Sequence, residues 1–462
     1  MEQQKNKEKI LSAGTLIFIA CWAAYCASYI GRVNYTAALT AIVADGVFSK
    51  PHAGLIGTVY FFCYGAGQIF SGILGDRISP YKMIGTGLVG AACTNILMPL
   101  CAQSYIAMSV VWGFNGISQS MLWTPILYII SNILPEEQRR RACLYIAASF
   151  PVGTLLSYVI SAAAIKFASW HFAFFIPAGI IACIFVFWCL AAGKTSKILG
   201  RGEKKSLPVQ ENTGAKVSLG KLFMVSGAAV ICIGILVQGM LKDGVTSWVP
   251  TLIKEKYNVS ASFSVLLSAV LPIINLSGAW FSTKLYEGPF KLNETAAAAF
   301  CFALTFIPLT GIVFVGHYHI ALCVIFFALF TTLITAINHL FITLIPVRFA
   351  KYGRTSTVGG IFNSCTYIGS AISTYGFGAV SEKFGWTATV IFWIILGALG
   401  VAVCAIPMRR YGRFANGSGN KKKHAAYFGK KSEYQTNCVK KTAIGAKKIK
   451  IRYCKTRNLM LL

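Results

Sequence analysis

GILGDRISPYK occupies residues 72–82 of this chain, and GAWFSTKLYEG occupies residues 278–288. Each segment stands at the end of a long apolar run and contains small residues followed by a charged turn. The turn carries Asp76 and Arg77 in the first segment and Lys284 in the second. Small residues permit close helix contact, and charged residues mark the point where a helix leaves a membrane. The two segments therefore predict a helical unit that occurs twice along the chain.

The composition is typical of a membrane protein. Of 462 residues, 56% are hydrophobic and 12% are charged, and the mean hydropathy is +0.63. An ordinary soluble domain carries roughly 25% charged residues. Apolar runs of about 20 residues, the length that crosses a bilayer, recur along most of the chain. We expect an all-α, multi-pass membrane protein.

The apolar runs fall into two groups of six. We expect transmembrane helices near residues 12–43, 52–75, 81–101, 104–133, 140–166 and 170–192, and then near 221–252, 261–286, 293–315, 318–346, 355–381 and 386–408. The predicted domains are a six-helix bundle over 1–192, a basic cytoplasmic linker over 193–219, a second bundle over 220–408, and a basic, disordered tail over 409–462. Two such bundles, related by a pseudo-two-fold axis, enclose a cavity at the middle of the membrane.

Basic residues in the short loops predict the orientation. They cluster in alternate loops, on the side that also contains the N-terminal lysines and the linker, so we expect both termini in the cytoplasm. Residues 409–462 contain sixteen Lys or Arg against one acid, Glu433, and contribute much of the formal net charge of +29. Such a tail can contact anionic membrane lipids. No base-reading motif accompanies the charge, so we expect no nucleic-acid partner.

Two basic residues lie deep inside apolar runs, at matching places in the two halves. Arg32 lies in the first run of the first half, and Lys242 lies at a similar depth in the first run of the second half. The separation from Arg32 to Arg77 nearly equals that from Lys242 to Lys284. A cation at the bilayer centre costs on the order of 3 kcal/mol or more, so it normally faces the protein interior and meets an anion. The pair predicts one central site for a small anionic substrate.

A structural role competes with substrate binding at each of these cations. Arg32 could pair with an acid, but few acids lie in the predicted spans. Lys242 adjoins Asp243, and either side chain could point to a neighbouring helix. Adjacent side chains point about 100° apart on an α-helix, so we expect a direct pair between Lys242 and Asp243 to be unfavourable.

The cysteines and histidines form no recognisable site. Fifteen cysteines are scattered along the chain, most of them in the predicted spans, without CxxC pairs or clustered histidines. We therefore expect no disulfide framework, no metal site and no cofactor. No nucleophile–base arrangement is evident in the sequence, so it does not predict an enzyme.

Several motifs resemble those of a known family. GDRISPYK (75–82) resembles the loop signature of the major facilitator superfamily, and WHFAFFIPAG (170–179) is similar to the start of its sixth helix. The resemblance to the organophosphate:inorganic phosphate antiporters is narrower. SYIGRVNYTAAL (28–39) and LKDGVTSWVPTLIKE (241–255) resemble their first and seventh helices, and RTSTVGGIFNSCTYIGS (354–370) and EKFGWTATV (382–390) resemble their eleventh and twelfth. Together these motifs cover roughly residues 15–408.

The resemblance implies a major facilitator fold of twelve helices and a set of site residues. The two phosphate-binding basic residues of the antiporters fall on the first and seventh helices, and tyrosines line their site. Two of these tyrosines share one helix face with the first cation through i, i+4, i+7 spacing. The implied substrate-binding residues are Arg32, Lys242, Tyr25, Tyr29, Tyr64, Gln68 and Tyr367. The implied loop residues that adjust during conformational change are Gly75, Asp76, Arg77 and Lys284.

The sequence departs from the antiporters at three positions. Gln68 stands where the sugar-phosphate and glycerol-phosphate carriers resemble one another in having a lysine, and Phe150 stands where the glycerol-phosphate carrier has a histidine. Lys242 replaces an arginine and cannot make the same planar, bidentate contact. The cavity therefore holds fewer cations, and a carboxylate or phosphonate competes with a phosphate ester as the expected substrate.

The sequence predicts a secondary active transporter that works as a monomer, by alternating access, in a bacterial inner membrane. The first half carries no titratable carboxylate or histidine at membrane depth, apart from Asp76 at a helix end. Exchange of an organophosphate for inorganic phosphate is therefore favoured over proton coupling. The alternatives are a carboxylate or phosphonate transporter and a receptor that binds a phosphate ester without transport.

Overall fold

The computed structural model describes residues 2–74, 78–199, 218–290, 292–316, 318–352 and 354–416. Within these ranges the regular elements are helices, which confirms the predicted all-α class. The helices of the first half are α1 (Glu2–Ala44), α2 (Lys50–Leu74), α3 (Pro80–Leu100), α4 (Tyr105–Tyr128), α5 (Glu136–Tyr145), α6 (Ser149–Phe167) and α7 (Phe172–Leu199).

The second half has shorter helical pieces that continue one another. They are α8 (Leu219–Ser226), α9 (Ala228–Gly239), α10 (Val245–Tyr257), α11 (Ala261–Ser268), α12 (Leu271–Glu287), α13 (Glu294–Leu304), α14 (Phe306–Phe314), α15 (Ile320–Asn338), α16 (Ile345–Val347) and α17 (Thr355–Asn416). Three π-helical turns, which accommodate one extra residue per turn, lie at Ile129–Ile133, Met240–Gly244 and His339–Leu344. The second of these turns joins α9 to α10 and contains Lys242.

Ten helical segments of the described chain are long and apolar enough to cross a membrane. One of them, residues 357–415, is interrupted at Gly385, where a φ of 78° breaks α17 into two parts. Glycine adopts this backbone conformation readily because it has no side chain. Helix α4 has 24 residues but is less apolar, since it carries Asn115 and Gln119. Counting α4 and both parts of α17 gives, for the described residues, the twelve spans predicted from the sequence.

Three helices extend beyond their predicted ends. Helix α1 begins at Glu2, α7 continues to Leu199, and α17 continues to Asn416. A helix can continue into water after it leaves the apolar layer because its backbone hydrogen bonds are internal. The rest of the predicted linker (200–217) and of the predicted tail (417–462) lies outside the described residues, as do Gly75, Asp76 and Arg77 of the loop motif.

The described residues up to Met408 form one compact unit, distinct from the short described stretch 409–416. In the first unit, the core of the first half lies between α1, α3, α4 and α7. It is built from fully buried apolar side chains such as Ala20, Leu88, Ile126 and Trp188. Side chains of this kind fix the relative positions of the helices because a packed interior leaves little free space.

Glycines allow helices α1, α2, α4 and α6 to approach one another closely. A β-carbon added at Gly116 of α4 would lie 2.6 Å from the carbonyl oxygen of Tyr60 on α2. A β-carbon at Gly153 of α6 would contact the backbone of Cys26 on α1 and lie 2.8 Å from the β-carbon of Tyr29. Such contacts leave no room for any larger residue. The aromatic residues of α1 and α2 are therefore held at fixed positions.

Hydrogen bonds join the two halves on one side of the unit, where α1 ends and α2 begins. Thr40 shares a hydrogen bond with Thr251, with 3.0 Å between their hydroxyl oxygens. Lys50 Nζ lies 2.7 Å from Glu255 Oε2. The hydroxyl of Thr58 donates to the carbonyl oxygen of Ala371 over 2.5 Å. The halves are thus in direct contact at this end of the helices.

Candidate functional site

Both halves of the chain line a cavity of about 150 Å³. Helices α1, α2, α4 and α6 contribute from the first half, and the turn Met240–Gly244, α10, α12, α15 and α17 contribute from the second. The charged side chains in this lining are Arg32, Lys242 and Asp243, so the cavity carries a formal net charge of one positive. The two cations that the sequence singles out therefore face the same space.

Arg32 is surrounded by aromatic rings rather than by acids. Its guanidinium carbon lies 4.6 Å from the ring centre of Tyr29, 4.8 Å from that of Tyr64 and 5.9 Å from that of Tyr60. A cation within about 6 Å of an aromatic face is attracted by the negative charge of the ring. No other described residue forms a hydrogen bond or an ion pair with the Arg32 side chain. This guanidinium therefore keeps its hydrogen-bond donors available to a ligand.

Buried polar side chains hold the turn of α1 that carries this guanidinium. Asn95 on α3 and Asn115 on α4 both donate to the carbonyl oxygen of Gly31, over 2.9 and 3.0 Å. Ser157 on α6 donates to the carbonyl oxygen of Ile30 over 3.0 Å. Polar residues at membrane depth are seldom placed without a partner. Three neighbouring helices thus fix the position of α1 by hydrogen bonds to its backbone.

Tyr25 and Tyr29 lie together on α1, as the spacing of the sequence predicts. Their hydroxyl oxygens are 3.4 Å apart, and their rings meet edge to face with 5.2 Å between centres. Tyr29 lines the cavity, where Phe150 packs against its ring at 4.7 Å. Tyr25 does not belong to the cavity lining and instead packs against Trp123 at 4.7 Å. Tyr25 therefore supports Tyr29 from behind.

The remaining predicted residues divide in the same way. Tyr367 lines the cavity, and its ring centre is 4.6 Å from that of Tyr64. Tyr64 is buried and touches Arg32 without lining the cavity, and Gln68 lies one turn further along α2, also outside the lining. Lys284 is exposed in the last turn of α12. The lining thus includes four of the seven substrate-binding residues implied by the resemblance.

Lys242 and Asp243 form the direct pair that we expected to be unfavourable. Lys242 Nζ lies 3.2 Å from Asp243 Oδ1. That expectation assumed regular α-helical geometry and was wrong, because both residues lie in the π-helical turn Met240–Gly244. A π-helical turn changes the directions in which neighbouring side chains point and often occurs at functional sites. The second cation of the cavity is consequently neutralised by an adjacent carboxylate.

A second helix holds this carboxylate in place. The hydroxyl of Ser370 on α17 donates to Asp243 Oδ2 over 2.7 Å. The Asp243 side chain is largely buried, with 16% of its surface exposed. Hydrogen bonds to an ionised group are stronger than those between neutral groups. Asp243 therefore links the ion pair to the helix that also carries Tyr367.

The sequence did not reveal Tyr60 as a site residue. Tyr60 lies on α2, one turn before Tyr64, lines the cavity, and is 3% exposed. Its hydroxyl group has no hydrogen-bond partner among the described residues. A buried hydroxyl without a partner is unfavourable, so this group is suited to a ligand oxygen. The i, i+4 relation to Tyr64 was the available signal, and it would have placed both rings on one face of α2.

The sequence also did not reveal three polar site residues, Asn275, Thr331 and Thr335. Asn275 lies on α12, the two threonines lie on α15, and all three side chains line the cavity. They are polar positions within otherwise apolar helices, and polar side chains at membrane depth are candidates for function. The cavity therefore has a neutral polar wall in addition to its charged residues.

Comparison with known proteins agrees with this architecture. The family model described as Major Facilitator Superfamily matches residues 21–374. The chain belongs to the Major Facilitator Superfamily. A solved member of this fold, a bacterial homologue of the human lysosomal transporter Spinster, superposes with a TM-score of 0.70 at 14% sequence identity and covers 87% of this chain and 98% of its own. The major facilitator fold implied by the motifs is thereby confirmed.

Curated relatives in the superfamily are named as organophosphate transporters. The phosphoglycerate transporter protein of Salmonella typhimurium is 25% identical over 83% of this chain and 85% of its own length. The glycerol-3-phosphate transporter of Bacillus subtilis is 24% identical over 84% of this chain and 91% of its own. A probable hexose phosphate transport protein of Chlamydia muridarum is 31% identical, and that match spans 37% of each chain. These names agree with the resemblance to the organophosphate:inorganic phosphate antiporters.

Proposed function

We propose that this protein is a secondary active transporter that exchanges a small organophosphate for inorganic phosphate. The observation that carries the proposal is Arg32, a guanidinium in a cavity lined by both halves of the chain that has no partner among the described side chains. An unpaired cation at membrane depth is unfavourable until an anion binds. Anion binding is therefore the role that its position supports.

A phosphate group fits this site better than a plain carboxylate because it has more oxygen atoms to contact the surrounding donors. Arginine offers several hydrogen-bond donors in a planar arrangement that matches phosphate and carboxylate oxygens alike. Tyr60 presents an unpaired hydroxyl beside the same guanidinium, and a phosphate has enough oxygen atoms to contact both groups. The names of the relatives point to the same class of substrate.

Exchange follows from the charge of the empty cavity. Arg32, Lys242 and Asp243 leave one uncompensated positive charge facing the cavity. Moving an unpaired charge through a low-dielectric barrier is costly, whereas an occupied site is closer to neutral. The carrier then reorients readily only with an anion bound, and each crossing of one anion requires the return of another.

The contacts between the halves support an alternating-access cycle. The bundles 1–192 and 220–408 meet through Lys50 and Glu255 and through Thr40 and Thr251, all on the side where α1 ends. With both termini in the cytoplasm, this contact closes the external side. Reorientation then requires these contacts to break while the 200–217 segment keeps the bundles connected. We infer a monomer, since one chain supplies both walls of the cavity. The bacterial sources of the relatives support a location in a bacterial inner membrane.

Proteoliposomes loaded with inorganic phosphate provide the test. Radiolabelled phosphate should enter in exchange for internal phosphate, and Arg32→Ala should abolish this uptake. Arg409→Ala removes the same side chain from an exposed position outside the cavity lining and serves as the matched control, with uptake within about twofold of the unmodified protein, as for most surface changes. Unchanged exchange by Arg32→Ala would contradict the proposal.

The same preparation separates the alternatives. Stabilisation of the purified protein by phosphate esters without any uptake would identify a receptor, because thermal stabilisation follows binding alone. Competition by carboxylates or phosphonates that exceeds competition by phosphate esters would identify a different anion as the substrate.

A further inference from the structure

Three uncharged polar side chains form a cluster on the second-half wall of the cavity. Asn275 lies on α12, and Thr331 and Thr335 lie one turn apart on α15. The hydroxyl of Thr331 is 2.8 Å from Asn275 Oδ1, and that of Thr332 is 3.3 Å from the same atom. All three members of this Asn275–Thr331–Thr335 cluster line the cavity.

Asn275 presents an available hydrogen-bonding group to this space. One end of its amide is occupied by the threonine hydroxyls of α15. The other end has no hydrogen-bond partner among the described residues, and the side chain is only partly buried. An amide has four hydrogen-bonding positions, and leaving them unused at membrane depth is unfavourable. The free end of the Asn275 amide is therefore suited to a polar, uncharged group of a ligand.

The cluster and the unpaired cation belong to different halves. Arg32 and Tyr60 lie on α1 and α2 of the first half, whereas Asn275 and the threonines lie on α12 and α15 of the second. A ligand with an anionic group at one end and a hydroxylated body at the other can contact both walls at once. Inorganic phosphate lacks that body, so it can bind through the first wall alone.

We propose that the Asn275–Thr331–Thr335 cluster is the subsite that recognises hydroxyl groups on the organic part of the substrate. The inference rests on the proposed function and narrows its substrate class to polyol or sugar phosphates. An apolar organic part would leave the Asn275 amide unpaired and bind less tightly. The cluster thus discriminates among phosphate esters, while Arg32 binds the phosphate that they share.

Pairs of matched ligands and variants test the subsite in phosphate-loaded proteoliposomes. Glycerol 3-phosphate and propyl phosphate share a phosphate and a three-carbon chain, but only the first carries free hydroxyls. Each is measured as an inhibitor of phosphate–phosphate exchange. Asn275→Leu, which nearly keeps the shape of the side chain, should raise the inhibition constant of glycerol 3-phosphate about fivefold, as expected for the loss of one or two neutral hydrogen bonds. The constant of propyl phosphate and the KM of inorganic phosphate should change by less than about twofold.

Thr335→Val provides a second variant, with the same expected pattern. Thr283→Val is the matched control because Thr283 lies on α12, bonds to its own helix at the carbonyl oxygen of Ala279, and is outside the lining. In a parallel series, glucose 6-phosphate replaces glycerol 3-phosphate, and the same pattern of inhibition constants would show that the subsite also recognises the hydroxyl groups of a sugar. Equal weakening of both phosphate esters, or no weakening of either, would overturn the subsite while exchange of phosphate persists. An unmodified protein that exchanges no phosphate would overturn the proposed function itself.

Discussion

Lys242 and Asp243, adjacent in the chain, form an ion pair with 3.2 Å between Nζ and Oδ1 in the wall of the cavity. Arg32, the other cation of the lining, has no such partner among the described residues. The two cations are therefore not equivalent. Arg32 is available to a ligand at once, whereas Lys242 becomes available only when it separates from its carboxylate neighbour.

Replacing Asp243 by asparagine should free Lys242 for the ligand. The cavity then gains one positive charge, while the asparagine oxygen can still accept the hydrogen bond from Ser370. We expect the KM for inorganic phosphate to fall about tenfold, since attraction between charges is strong away from water. The maximal rate should fall as well, because a tightly bound anion leaves slowly. Both are measured as initial rates of labelled phosphate uptake at graded concentrations.

Ser370→Ala is the control for Asp243→Asn. It removes the hydrogen bond from α17 but retains the charge of the carboxylate. We expect its KM to stay within about twofold of the unmodified protein, because Asp243 keeps its charge and still pairs with Lys242, so that the charge of the cavity does not change. An equal fall in KM for both variants would mean that a shift of α17, rather than the charge, controls affinity.

Replacing Tyr60 by phenylalanine should weaken anion binding without lowering the thermal stability of the empty protein. Phenylalanine keeps the contacts with Tyr64 and Trp112 and removes a buried hydroxyl that has no partner among the described residues. We expect the dissociation constant for phosphate, measured by ligand-induced thermal stabilisation, to rise about tenfold, because a hydrogen bond to a charged group is lost.

The thermal stability of the empty Tyr60→Phe protein gives a second readout. It should equal or exceed that of the unmodified protein, since an unpaired buried hydroxyl contributes nothing favourable. Tyr81→Phe serves as control because Tyr81 is buried on α3 away from the cavity lining. A phosphate affinity that is the same in Tyr60→Phe as in the unmodified protein would exclude Tyr60 from the site.

The fold could be predicted from the sequence because the physical signals are local. Apolar runs of membrane length predict helices wherever they occur. The break at Gly385 also agrees with the predicted gap between 381 and 386. Arg32 and Tyr29 could be grouped because helical spacing alone decides which residues share a face of α1.

The rest of the site depends on how helices pack, which spacing does not determine. The pair of Lys242 and Asp243 lies in a π-helical turn, and a regular 3.6-residue periodicity gives no sign of such a turn. Asn275 and Thr331 are 56 residues apart and meet only because α12 packs against α15. Conversely, the resemblance implies Gln68 as a substrate-binding residue, but Gln68 lies outside the cavity lining.

The ion pair between Lys50 and Glu255 should stabilise the state in which the halves meet on the side where α1 ends. Trp386 donates its indole N–H to the same Glu255 oxygen over 2.7 Å, and Lys50 Nζ lies 5.0 Å from its ring centre. Glu255→Lys places two cations in contact there and should slow exchange about threefold, a size expected for a partly exposed pair. The rate is measured as phosphate uptake into proteoliposomes.

The exchanged pair, Lys50→Glu with Glu255→Lys, tests whether attraction between these two positions is responsible. Opposite charges again face each other, and the rate should return to within about twofold of the unmodified protein. Failure of the double variant to recover, together with normal protein yield, would show that another property of Glu255 governs the rate.

A buried ion pair in the second half should matter for stability and not for substrate affinity. Arg348 Nε lies 2.7 Å from Glu294 Oε1, and both residues are buried outside the cavity lining. Arg348→Met removes the cation that pairs with the buried Glu294 carboxylate. We expect a loss of about 3 kcal/mol in the free energy of unfolding, because breaking one side of a buried pair is strongly destabilising. Arg348→Met with Glu294→Gln removes both charges and should recover most of that loss, as seen by thermal unfolding in detergent. Phosphate affinity should be unchanged in the double variant.

A double variant as unstable as the single one would show that the Arg348 side chain stabilises the fold through its hydrogen bonds rather than through its charge. Those bonds include the ones to the hydroxyl of Tyr286 and to the carbonyl oxygen of Leu292.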